Sequence, residues 1–298
     1  MRRVALGLII LSAALAPAGP VSAFEGVLKW RIVQVGKEPL KSVVSDASDS
    51  KQVFALSMDK LMSMHGQATV IDSTVYVKGP KVRTDTTARD GKSYFIMNLD
   101  SGVTEVVNPE KKQVTQVTPD DMREMAEKLA SYRAVFKRQV ENAAGGDKPK
   151  LSEIMKMDDE PLPNFELVAL DEEKTIYGRD TQAYEVRGGK DAVVGWVAKS
   201  DSDVLAFYRK LEENRGKLSP HLKGTNPKSV LTREGLPMRV QTLNDRQYMV
   251  EDLVEIESKP VSDEMFVVPK EFAKTSPHDQ AAESSPPNEK SSQPKKKP

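Results

Sequence analysis

The chain has 298 residues, with 44 Lys and Arg against 44 Asp and Glu, three His and no Cys. Balanced charge excludes the strong basic excess of a nucleic-acid binder. The absence of cysteine excludes disulfides, zinc–thiolate sites, thiol nucleophiles and lipidated cysteines.

The N-terminus reads MRRVALGLIILSAALAPAGPVSA. A short basic region (Arg2, Arg3) precedes an apolar run from Val4 to Leu15 that is too short to span a bilayer. Val21-Ser22-Ala23 supplies a small-x-small cleavage pattern. Residues 1–23 are therefore expected to be a cleaved signal peptide that sends the chain to the periplasm or outside the cell, with no stable transmembrane segment left after cleavage. Removing Arg2 and Arg3 leaves 42 basic residues against 44 acidic, a net charge of −2. About 250 residues are enough to bury a core without disulfides.

FEGVLKWRIVQV alternates. Phe24, Leu28, Trp30 and Ile32 fall on one side and Glu25, Lys29 and Arg31 on the other, the pattern of a strand with one buried face. A polar connection covers 36–51. In VFALSMDKLMSMHG, Phe54, Met58, Leu61 and Met62 are spaced for an amphipathic helix, although Phe54, Leu56 and Met58 also alternate as a strand would. Met58, Met62, Met64 and His65 form a thioether–imidazole group of the kind that suits Cu(I), and flexible packing residues have the same spelling.

Strands follow in quick succession. Val75 and Val77 lead to the Gly79-Pro80 turn, then come 81–86, 93–99 with Phe95 and Met97, 103–107 and 113–117. Turns every six to ten residues predict an antiparallel meander. Thr118-Pro119-Asp120-Asp121 starts a helix whose stripe is Met122, Met125, Leu129, Tyr132, Phe136 and Val140, ending near Ala143 or Ala144. A surface loop is expected at 145–150.

The second half repeats the style. NFELVAL, KTIYG, TQAYEVR and DAVVGWVAK read as strands. A helix capped by Asp201 or Ser202 runs to Gly216, and 217–236 reads as a long polar loop. MRVQTL and RQYMVEDLVEIES form a hairpin about Asn244-Asp245, and SDEMFVVPKEF closes the ordered part. Residues 274–298, rich in Ser, Pro and Lys, are expected to be disordered.

VYVKGPKV, the Asp90-Gly91-Lys92 turn and SYFIMN resemble the core meander of the periplasmic outer-membrane lipoprotein carriers. Trp196 in VVGWVAK, Leu236-Pro237 in GLPMRV and the SDEMFVVPKEF ending resemble secreted bacterial domains of unknown function in the same superfamily. The resemblance spans 24–273 and implies one mainly β (α+β) domain, a curved antiparallel half-barrel sheet with amphipathic helices covering its concave face. In the carriers that face receives lipoprotein acyl chains. Two departures are visible: the carriers' arginine before the proline is Gly79 here, and the 118–141 helix is an insertion.

Periodicity alone points to a similar face. Phe24, Leu28, Trp30, Ile32, Val75, Val77, Phe95, Met97, Val240, Tyr248, Val250, Val254 and Ile256 would line one side of the sheet, an area too apolar to stand bare. The candidate ligand-binding residues are Leu28, Trp30, Ile32, Val75, Val77, Phe95, Met97, Tyr248 and Val250. No nucleophile elbow, zincin motif or phosphate loop occurs. The expectation is a non-enzymatic protein without cofactor that binds a hydrophobic or acyl-chain ligand. The alternative is an envelope interaction or sensor module with a plugged concavity, working through a protein partner.

Overall fold

The computed structural model describes residues 24–64, 66–88, 91–125, 164–199, 202–218 and 226–277, with positions 127, 128, 131 and 135. The expected signal peptide, His65, the helical positions Leu129, Tyr132, Phe136 and Val140, the 145–150 loop and the tail from 278 lie outside the described residues.

The strands are β1 (Gly26–Gly36), β2 (Ala68–Lys78), β3 (Lys81–Ala88), β4 (Gly91–Asn98), β5 (Thr104–Asn108), β6 (Gln113–Val117), β7 (Glu166–Ile176), β8 (Arg179–Arg187), β9 (Ala192–Ala198), β10 (Leu236–Leu243), β11 (Gln247–Ser258) and β12 (Ala273–Thr275). They form one sheet in the order β12-β6-β5-β4-β3-β2-β1-β11-β10-β9-β8-β7. The two ends do not meet, so the sheet is open. It is a curved, mainly β, half-barrel-like architecture. β1 is its seam, pairing antiparallel with β2 on one side and β11 on the other. The Gly79-Pro80 turn falls where the sequence places it, whereas Gly91 and Lys92 of the expected second turn already belong to β4 and Asp90 lies outside the described residues; at Gly79, φ is +55°, a conformation open to glycine because it has no Cβ.

Cross-strand register assigns the faces. Leu28 lies opposite Val75 and Ile256, Val75 opposite Thr84, and Thr84 opposite Phe95. On this Leu28 face lies helix α4 (Ser202–Leu218), which contributes Val204, Phe207, Tyr208 and Leu211 at helical spacing. A five-residue helix, α5 (Pro227–Leu231), is capped by Asn226 and carries fully buried Leu231 into a cluster with Val186, Val193, Val197 and Val240.

The other, Val33 face has separate covers. Val33 and Val35 pair with Val250 and Tyr248. They are sheltered by α1 (Lys37–Leu40), α2 (Ser50–Phe54) and α3 (Met58–Met62) through Leu40, Val53 and Leu61. Further along, Val27 and Ile96 pack beneath Val261 and Phe266, the latter in a 3₁₀ turn at Asp263–Phe266.

Several expectations change. The 54–64 stretch is neither one helix nor a strand, because Ser57 caps α3 and breaks the chain after α2. NFELVAL and KTIYG merge into β7, with a register irregularity between Ala169 and Glu173. α4 runs past Gly216, and the supposed 217–236 loop contains α5. β12 pairs parallel to β6, so the sheet is not wholly antiparallel, and order extends beyond residue 274. Thr118 does cap: its hydroxyl accepts from Asp121 N at 3.2 Å while the Asp121 carboxylate accepts from Thr118 N at 2.7 Å, and residues 119–125 are helical. Among the described residues no helix is long and apolar enough to cross a membrane.

Gly195 lets α5 approach the sheet: a Cβ there would lie 2.3 Å from Leu231 Cδ1. Gly195→Ala is expected to lower stability by about 1–3 kcal/mol through overpacking, measured by chemical denaturation. An unchanged midpoint would contradict this packing.

Candidate ligand-binding face

Seven of the nine predicted residues share the Leu28 face: Leu28, Trp30, Ile32, Val75, Val77, Phe95 and Met97. Leu28, Val77 and Met97 are buried in the cluster beneath α4, while Trp30, Val75 and Phe95 are half-buried at its margin. Tyr248 and Val250 are on the opposite face, packed against the α1–α3 segment. The cause is a bulge. Lys29 pairs with Glu255 but Trp30 with Leu253, so Val254 is an extra residue and reverses the alternation of β11. Tyr248 and Ile256 are an even number of residues apart, yet they face opposite ways.

The margin of the Leu28 face is aromatic and charged. The Trp30 ring meets Tyr208 edge-on, with centroids 5.8 Å apart. Lys228 Nζ lies 5.3 Å from the centre of the Trp30 ring and pairs with the carboxylate of buried Glu251, tying α5 to β11. Burial pushes the Tyr208 phenol well above its ordinary pKa. Helix α4 is bonded to α5: Arg209 donates to Thr232 O at 2.9 Å, and Asn226 donates to Glu212 at 2.9 Å.

The Val33 face holds a buried polar network that periodicity did not reveal. Asp252 is 0% exposed. It accepts from Arg239 Nε at 2.7 Å, Arg239 Nη2 at 2.6 Å and Tyr177 OH at 2.7 Å. Beside it Arg31 donates to Asp72 at 2.8 Å. Gln241 accepts from Trp196 Nε1 at 3.2 Å and donates to Tyr248 OH at 2.6 Å and Phe54 O at 3.1 Å. Charged residues at strand positions read as solvent-facing; their pairing depends on chain segments brought together only by the sheet.

Two open depressions stand out among the described residues. One, about 960 Å³, lies at the β7–β8 hairpin end among Glu173, Arg179, Asp180, Gln182 and Lys199. The other, about 360 Å³, lies between Val114 and the Phe266–Phe272 segment. Neither is lined by the Leu28–Phe207 cluster, whose Leu28, Leu253 and Phe207 are fully buried with α4 in place. Met58, Met62 and Met64 pack in the cluster beneath α1–α3. Among the described residues no group of three or more His, Asp or Glu is placed to hold a metal ion.

These features define a class: an open curved-sheet protein whose apolar face is shut by a helix. The chain belongs to the family described as Domain of unknown function (DUF4412), which matches residues 54–272. Similar solved structures include an uncharacterized conserved protein from Thermus thermophilus, 8% identical, covering 83% of this chain and 90% of that one, with a TM-score of 0.36. Another is PNGF-II, also 8% identical, covering 86% of this chain and 32% of that one, with a TM-score of 0.31. No curated protein matches.

Asp252→Asn would leave the Arg239 guanidinium without its countercharge and is expected to cost about 3–5 kcal/mol in a denaturant melt. A loss within error of zero would contradict the pairing. The Tyr177 phenol is held neutral up to about 12, first by burial and then by its bond to Asp252. The folded state keeps this proton where the unfolded chain has lost it, so the contribution is complete below pH 10 and disappears as pH rises through about 12. The stability gap between wild type and Tyr177→Phe should therefore narrow between pH 10 and 12. A constant gap would contradict the assignment.

Proposed function

We propose that this is a periplasmic or secreted, non-enzymatic protein that binds a hydrophobic or lipid-like ligand against the Leu28 face, as its resemblance to the lipoprotein carriers implies. The supporting observation is how α4 meets that face. Its contact is made by Val204, Phe207, Tyr208 and Leu211, apolar and aromatic surfaces that an acyl chain can replace. Exposing four such side chains costs about 6–12 kcal/mol at about 1.5–3 kcal/mol each. Burying a 16-carbon chain returns on the order of 10 kcal/mol at about 0.8 kcal/mol per methylene. The two terms are of the same order before the α4–α5 hydrogen bonds and the ordering of the acyl chain are counted. The leader-like sequence at 1–23 supports an envelope location.

A second reading is favoured by the complete burial of Phe207, Leu28 and Leu253 with α4 in place. In it the face is a permanent core and the outer surface engages an envelope partner.

Incubation with a lipid extract followed by native mass spectrometry separates the two, together with displacement of a fluorescent fatty acid. The ligand reading predicts a bound acyl mass, and at least about a tenfold affinity loss for Val75→Asp or Phe95→Asp, since each places a charge on the apolar face. A clean apo mass with no probe binding contradicts it and favours the plugged reading.

A further inference from the structure

The β7–β8 hairpin does not lie in the plane of its sheet. Ala183, Trp196, Arg239 and Asp252 form one row across β8, β9, β10 and β11. Tyr177 lies six residues beyond Ala183, in the turn between β7 and β8. With strands about 4.8 Å apart and about 3.3 Å per residue along each, a flat hairpin would hold Tyr177 and Asp252 more than about 20 Å apart at Cα. Their side chains are nevertheless joined at 2.7 Å. The tip must therefore fold back over the Val33 face, opposite to α4.

Three further observations fit that fold-back. β7 loses register between Ala169 and Glu173, which supplies the bend. Ile176 is buried in the same cluster as Trp196 and Ala183, and Lys174 Nζ lies 4.4 Å from the centre of the Trp196 ring. Tyr177 has φ +48°, a left-handed conformation uncommon for a side chain of this size. The bond holding the tip is itself accessible: Tyr177 is 46% exposed, while its acceptor is fully buried. Beyond Thr181 the tip has no ladder partner outside its own hairpin among the described residues, as expected of the low-stability part of a fold.

We infer that residues 174–180 form a flap, hinged where the β8–β9 pairing ends at Thr181 and latched by the Tyr177–Asp252 hydrogen bond, that closes over Trp196 and the Arg239 guanidinium. Lifting the flap would uncover an indole beside two guanidinium–carboxylate pairs, Arg239–Asp252 and Arg31–Asp72.

The test is hydrogen exchange, read by mass spectrometry on the full chain, comparing wild type with Tyr177→Phe, which removes only the hydroxyl. The latch predicts exchange at least about tenfold faster in peptides covering 174–180, the scale of one bond to a charged acceptor. Peptides from β10 and β11 should stay as protected as in wild type. Unchanged exchange in 174–180 overturns the inference, and so does an equal rise throughout the sheet, which would make the hydroxyl a general stability element. If Tyr177→Phe does not fold, Lys174→Ala, which removes the contact over Trp196, must show the same local increase; no local increase overturns the flap.

Discussion

An open sheet has two faces and two edges, and each needs its own cover. Twelve strands joined through β1 cannot hide both faces against each other as a closed barrel or sandwich would. Most of the rest of the structure answers to this constraint. The Leu28 face is sheltered by α4 and α5, and the Val33 face by α1–α3 at one end and the 259–268 segment at the other. One edge is shortened by β12, a three-residue strand laid parallel on β6. The other edge, β7, carries Asp171, Glu172, Glu173 and Lys174 around a register irregularity, a combination that discourages strand addition from another molecule.

The two faces are held by different physics. On the Leu28 face α4 meets the strands through apolar and aromatic side chains, whose contacts are non-directional, while Arg209 and Glu212 bond it to α5. On the Val33 face the centre is polar, and Asp252 ties Arg239 and Tyr177 by bonds with fixed geometry. Directional bonds to a buried charge tolerate little displacement, because a partner left behind is costly. The apolar face is thus held mainly by contacts without fixed geometry, and the polar face by bonds that preserve strand alignment.

Much of this was legible in the sequence. Period-2 alternation located β1 to β6 closely, since short strands with Gly, Asn and Asp turns leave few other readings. It also grouped Leu28, Trp30, Ile32, Val75, Val77, Phe95 and Met97 correctly on one face. It misplaced Tyr248 and Val250 because a bulge at Val254 reverses phase without any residue type that announces it. It missed α5 because five residues carry less than two turns of periodicity, and it missed the Asp252 network because the partners come from β7–β8, β10 and β11. The fold follows from local pattern; the polar network follows from the fold.

The central claim is that α4 is a displaceable cover over the Leu28 face. Because the sequence lacks cysteine, spin labels can be placed uniquely at exposed Ala206 on α4 and exposed Thr87 on β3, each substituted by Cys. Their separation would then be measured by pulsed electron resonance with and without saturating palmitate. The account predicts one narrow distance distribution in the free protein and a longer distance with palmitate bound. Bound palmitate that leaves the distribution unchanged would contradict it.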